Sequence, residues 1–225
     1  RRSSDLETED ITEVQRLSAD PYYHRALPLD ELSCSALQAV ALESQVPGLR
    51  QAAVSLTQAN RLHGSRAYPE FAPAPREAAL IQDSPLVRYP LTQGMVSKPA
   101  FAVVAMVLAS NEWIDQHPGR RTAWVRGMGW ATETAWLGDR HLATLPSLQA
   151  AAQQAYTEAG ISAPAQAFDV AEVADATAYQ QLLALEGLGK YTAAGSALLI
   201  MGIAVFALRQ VQKGGGAGGA MGFGK

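Results

Sequence analysis

An α/β layered domain is the fold class this sequence predicts, and three observations carry it. After residue 100, short apolar segments of strand type alternate with helical segments. Glycines at 160 and 189 stand where two of those helical segments should stop. Hydrophobic residues make up 48% of 225 residues, enough for a substantial core. Residues 1–99 read differently, as an excursion with helices and Pro-rich segments, so the domain division falls at 1–99 and 100–225.

Residues 1–30 are polar, and Asp20-Pro21-Tyr22-Tyr23-His24-Arg25 reads as a turn followed by extended chain. From Leu29 to about Leu62 the spacing is helical. Asp30 is the expected N-cap, and Leu32, Ala36, Leu37, Ala39, Val40 and Leu42 recur at helical intervals. Pro47-Gly48 breaks this helix, and a second resumes at Leu49. Residues 63–99 carry Pro69, Pro73, Pro75, Pro85, Pro90 and Pro99, which argues against a long regular element.

The run Ala-Phe-Ala-Val-Val-Ala-Met-Val-Leu at 100–108 predicts a buried strand. A short helix follows at 111–116, closed by His117-Pro118-Gly119, and residues 122–129 predict the next strand. Ser147 is the expected N-cap of a helix to about Ala159. Residues 168–173 predict a third strand, and 177–188 a helix. A long apolar helix is expected from about 192 to 211, before a Gly-rich end.

A formal charge of −3 and a pI near 5.8 argue against a nucleic-acid binder, which would present a basic face. The single cysteine, Cys34, excludes an internal disulfide and a Cys-rich zinc site. It fits a reducing compartment, and a cytoplasmic location is expected. His24, His63, His117 and His141 lack ligand spacing, so no metal site is expected. No apolar core follows the basic start, which argues against a signal peptide. With Arg at position 1, the chain is expected to begin inside a longer polypeptide.

Four segments, at 102–110, 124–129, 147–161 and 168–189, resemble in their order the second half of the thiolase superfamily. The likeness is to its sterol-carrier-type and archaeal-type acyl-CoA thiolases, and it covers about residues 20–225. The third segment ends in Ala159-Gly160-Ile161, like the family's Ala-Gly-Ile. The fourth, beginning Phe168-Asp169-Val170-Ala171-Glu172-Val173, resembles the family's strand, His-Asp-Ala-Phe motif and helix. Locally, Leu32-Ser33-Cys34-Ser35-Ala36-Leu37-Gln38-Ala39-Val40 is similar to a thiolase nucleophile segment at a helix N-terminus.

The resemblance implies a layered α-β-α-β-α fold, incomplete in this chain, and acyl-CoA chemistry: C-acyl transfer, or C–C cleavage or formation beside a thioester. Such chemistry needs a nucleophile to hold the acyl group, a base, and an oxyanion hole. Cys34 is the implied nucleophile, its thiol pKa lowered by the helix dipole. The competing reading is a small packing residue, because the family's strand-rich front segment is missing and the spacing to Ala174 is short. Glu172 and Asp175 are candidates for acid/base work, with helix capping the alternative for Asp175. Met128, Trp130 and Trp136 are candidates for lining an acyl pocket, or for filling a subunit interface. Gly215 and Gly216 belong to a loop whose N–H groups would approach a ligand, or to a tail. No bound cofactor is implied, coenzyme A entering as the substrate thioester. A homodimer or hetero-oligomer is implied, with a zinc-ribbon/OB-fold subunit as a possible partner.

The departures are specific. The family's histidine position falls on Ala174, and its Asp-Gly falls on Phe101-Ala102. Gly189-Lys190-Tyr191 joins two helical segments directly where a Gly-His-Pro loop is expected. The Gly-rich end lacks the family's cysteine. These features also fit a catalytically degenerate scaffold subunit. The uncharged run at 191–208 fits a buried core helix, or a membrane anchor of near-minimal length.

Overall fold

The computed structural model describes Leu17, Asp20, 22–24, 26–27, 29–69, 76–98, 103–119, 121–134 and 136–189. These residues are mostly helical with one two-stranded sheet, a mixed α/β composition at most. Helix α1 is Glu31–Gln45 and α2 is Leu49–Ala67. A short α3, Ala78–Gln82, leads into an antiparallel hairpin of β1, Leu86–Arg88, and β2, Leu91–Thr92. Helix α4 is Asn111–Gln116, α5 is Pro146–Ala159, α6 is Pro164–Ala167 and α7 is Ala178–Gly187.

Local chemistry explains the helix ends. Asp30 caps α1, its Oδ1 accepting from the Ser33 N–H at 2.7 Å. Gly48, at φ 78°, takes the left-handed turn that separates α1 from α2 without a Cβ penalty. Gly160 closes α5 at φ 71°, as the sequence predicts. Two expected caps are corrected. Pro146 occupies the first turn of α5 and Leu145 the cap position, so Ser147 lies inside the helix and donates to Glu133 Oε2 at 3.1 Å. Thr177, not Asp175, caps α7, accepting from the Gln180 N–H.

The core forms where α7 packs against α1, α2 and α5. Tyr179 and Leu183 of α7 meet Leu42, Leu49 and Val54, and the hairpin side adds Ile81, Leu91 and Met95. Buried positions 35, 36, 39 and 42 of α1 follow the helical interval that the sequence shows. Tyr179 is fully buried and donates to Glu43 Oε1 at 2.5 Å, while Arg50 Nε reaches the same oxygen at 3.1 Å. The hairpin is tied to the start of α7 by the Val96–Thr177 bridge and by Ser97 N–H to Ala176 O at 2.9 Å.

The three expected strands are not formed among the described residues. Residues 103–110, 121–130 and 168–173 carry no strand pairing. Val103, Val104, Met106, Val107 and Leu108 are 78–100% exposed, the reverse of the buried strand expected there. Apolar content makes such a segment a good strand, but pairing needs a neighbour in register, and no described segment supplies one. Residues 121–130 instead lie along α5. Met128 N–H donates to Glu158 Oε2 at 2.9 Å and Trp130 N–H to Gln154 Oε1 at 3.4 Å. The thiolase-type layering expected from the resemblance is therefore not seen in this part of the chain. Among the described residues no helix is long and apolar enough to cross a membrane. The run at 191–208, Phe101-Ala102, Gly215 and Gly216 lie outside the described residues.

Candidate functional site

One cavity of about 490 Å³ opens between α1, α5, α7 and the segment before α7. That volume lies in the range of small-molecule sites. From α1 come Cys34 and Gln38, and from the segment before α7 come Glu172, Val173 and Ala174. Leu137 and Arg140 approach from the loop ahead of α5, Leu148 from α5, and Leu183 and Leu188 from α7 and its end. The wall is mainly leucine, with Arg140 and Glu172 as its charged members, so it suits an apolar group with a polar end.

Cys34 and Ala174 therefore share a wall despite their distance in sequence. Gln180 fixes this arrangement. Its Nε2 donates to Ser35 Oγ at 2.7 Å, next to Cys34, and its Oε1 accepts from the Ala176 N–H at 2.9 Å. Both ends of the amide are thus engaged, and α1 is held against the segment that carries Ala174.

Cys34 sits in the first turn of α1, half-buried, its N–H bonded to Asp30 O at 3.0 Å. Burial pushes its thiol pKa up; Arg140 opposes this, while the Asp30 and Glu31 carboxylates reinforce it. This corrects the expectation of a lowered thiol pKa. The carboxylates at the same helix end offset the dipole, and desolvation disfavours the thiolate. Asp30 itself is partly buried, which raises its carboxyl, yet the hydrogen bonds from Ser33 and the nearby Arg88 guanidinium hold it below its ordinary value.

The other predicted residues divide clearly. Glu172 lines the cavity and is exposed. Asp175 is half-buried beside it but is not part of the wall, and burial raises its carboxyl pKa. Met128 and Trp130 are 61% and 76% exposed and lie away from the cavity. Trp136 instead packs against Tyr23 at 4.9 Å and His24 at 5.2 Å between ring centroids, anchoring the earlier chain. Among the polar cavity residues, Arg140, Gln38 and Gln180 were not expected from the sequence. Only Gln180 carried a local signal, since Thr177-x-x-Gln180 has the spacing of a capping box. Among the described residues no group of three His, Cys, Asp or Glu is placed to hold a metal ion.

No protein-family model matches the chain, and no curated protein matches it in sequence.

Proposed function

We propose that this chain is a thiolase-like subunit that takes an acyl-CoA thioester, with Cys34 as the residue that receives the acyl group. One observation carries the reading. Two segments that separately resemble thiolase motifs, around Cys34 and around Ala174, border the same cavity. The first resembles the nucleophile segment, the second the histidine-bearing one. Nothing in their local sequence requires them to meet.

The acyl chain occupies the leucine-lined cavity, and the nucleotide end of coenzyme A stays outside it. The reaction is C-acyl transfer, or C–C cleavage or formation beside the thioester, in the cytoplasm. A second copy or a zinc-ribbon/OB-fold subunit is the proposed partner.

The test is incubation of the full chain with acyl-CoAs of graded length, followed by intact-mass measurement and assay of released coenzyme A. An acyl adduct on Cys34, lost in Cys34→Ser, supports the reading. No adduct and no coenzyme A release at any chain length rejects it.

A second reading has specific support. The alanine side chain at 174 offers no donor or base, and burial raises the Cys34 thiol pKa, which disfavours the thiolate. These features favour a catalytically degenerate thiolase-like scaffold in a hetero-oligomer. That subunit would bind its partner with undiminished affinity when Cys34 is replaced by serine. A membrane-anchored form rests on the run at 191–208 alone and would require detergent for extraction.

A further inference from the structure

Alanine at 174 removes the side-chain donors that the thiolase pattern places in this wall, yet a positive charge faces the same space. Arg140 lines the cavity together with Cys34 and Ala174, the one lysine or arginine among the described residues that does so. Its Nη2 donates to Glu133 Oε2 at 3.2 Å, and that oxygen also accepts from the Ser147 hydroxyl at 3.1 Å. Glu133 is well shielded, its side chain 16% exposed, and Ser147 anchors it to the first turn of α5. The guanidinium is thus held from behind. A guanidinium has five N–H donors in a rigid fork, so this pairing leaves donors for a second acceptor.

We infer that Arg140, held in place by Glu133, is the group that stabilises the oxyanion of a thioester bound in this cavity. The inference rests on the proposed function and supplies a part that alanine at 174 leaves out. The Cys34 sulfur, having released its proton to solvent, forms a bond to the thioester carbonyl carbon. The carbonyl π pair moves onto oxygen, which accepts an N–H from Arg140. The pair then returns, the bond to the coenzyme A sulfur breaks, and that thiolate takes up a proton. One thioester is exchanged for another with no change of oxidation state. Arg140 is the catalytic residue in this step, and Glu133 is a positioning residue.

Two reactions of the full chain separate this role from a general effect on the thiol. Acylation of Cys34 by octanoyl-CoA passes through an oxyanion, whereas alkylation by iodoacetamide does not. Arg140→Gln should slow acylation by about 100-fold or more, the usual loss on removing an oxyanion donor. Alkylation should change by less than about tenfold, since the thiolate still attacks. Glu133→Gln, which leaves the Arg140 charge in place but weakens its anchor, should fall between Arg140→Gln and wild type in acylation. If Arg140→Gln does not fold, as judged by circular dichroism, Arg140→Met keeps the aliphatic stem and carries the comparison.

Wild-type acylation in the folded variant overturns the inference, as does an equal slowing of both reactions. A wild-type chain that forms no adduct overturns the proposed function and this inference with it. The two failures are distinct, because the first is seen only in the variant and the second already in the wild type.

Discussion

Replacing Gly129 by alanine tests the way residues 121–134 are seated on α5. A Cβ at Gly129 would fall on the Ala151 carbonyl oxygen, 2.8 Å from its carbon and 3.0 Å from Gln154 Cβ. Two of those three atoms are helix backbone and cannot rotate away. The segment must therefore lift from α5 or the helix must distort. Overpacking of this kind costs about 1–3 kcal/mol. Lifting also weakens the hydrogen bonds from Met128 and Trp130 N–H to Glu158 and Gln154, each contributing about 0.5–1.5 kcal/mol, toward the low end because they are exposed. The sum is about 2–4 kcal/mol, or a fall of roughly 4–16 °C in Tm for a chain of this size. Thermal unfolding followed by circular dichroism measures it. Gly138→Ala is the matched control, since a Cβ there meets nothing within 4 Å. If Gly129→Ala melts with the control and wild type, the close approach to α5 does not exist in solution.

Other perturbations address the core and the titrating groups. Tyr179→Phe removes the hydroxyl that donates to Glu43 and should cost about 1–3 kcal/mol, read from urea unfolding; an unchanged midpoint would show that the Glu43–Arg50 pair satisfies itself. Asp175 has a carboxyl pKa raised by burial, so its ionised form costs stability above that raised value and nothing below the ordinary 3.8. Asp175→Asn should therefore raise Tm at neutral pH, with the gain fading as pH falls toward 3.8; a fall in Tm at neutral pH contradicts the desolvated placement. Alkylation of Cys34 should show a pH midpoint above that of a free thiol, moving further up in Arg140→Gln, because burial and the loss of the opposing charge act in the same direction. A midpoint below the free thiol would mean that the helix dipole outweighs burial after all.

What was legible in the sequence was the set of features decided within a few residues. Asp30 as a cap, the Pro47-Gly48 break, the short helix before His117-Pro118-Gly119 and the stop at Gly160 depend on side-chain reach and backbone freedom over one turn. The two cap errors have the same local origin. Proline at 146 claims the first turn ahead of Ser147, and Thr177, two residues beyond Asp175, accepts from the Gln180 N–H and starts the helix there.

Strands and the site lie on the other side of that line. The valine-rich run at 103–108 has strand composition, but a strand's backbone groups must be answered by another segment, and composition does not name the partner. The wall shared by Cys34, Arg140 and Ala174 is likewise a product of α7 packing on α1 and α5, with Gln180 spanning between them. By itself the sequence determined several helix ends, at Asp30, Pro47-Gly48 and Gly160 among others, because those are properties of short stretches. Only the tertiary structure decided that Arg140 and the cysteine line one cavity, that Trp136 packs elsewhere, and that the thiol pKa is raised rather than lowered. Proximity, burial and the balance of charges around a group are set by atoms brought from distant parts of the chain.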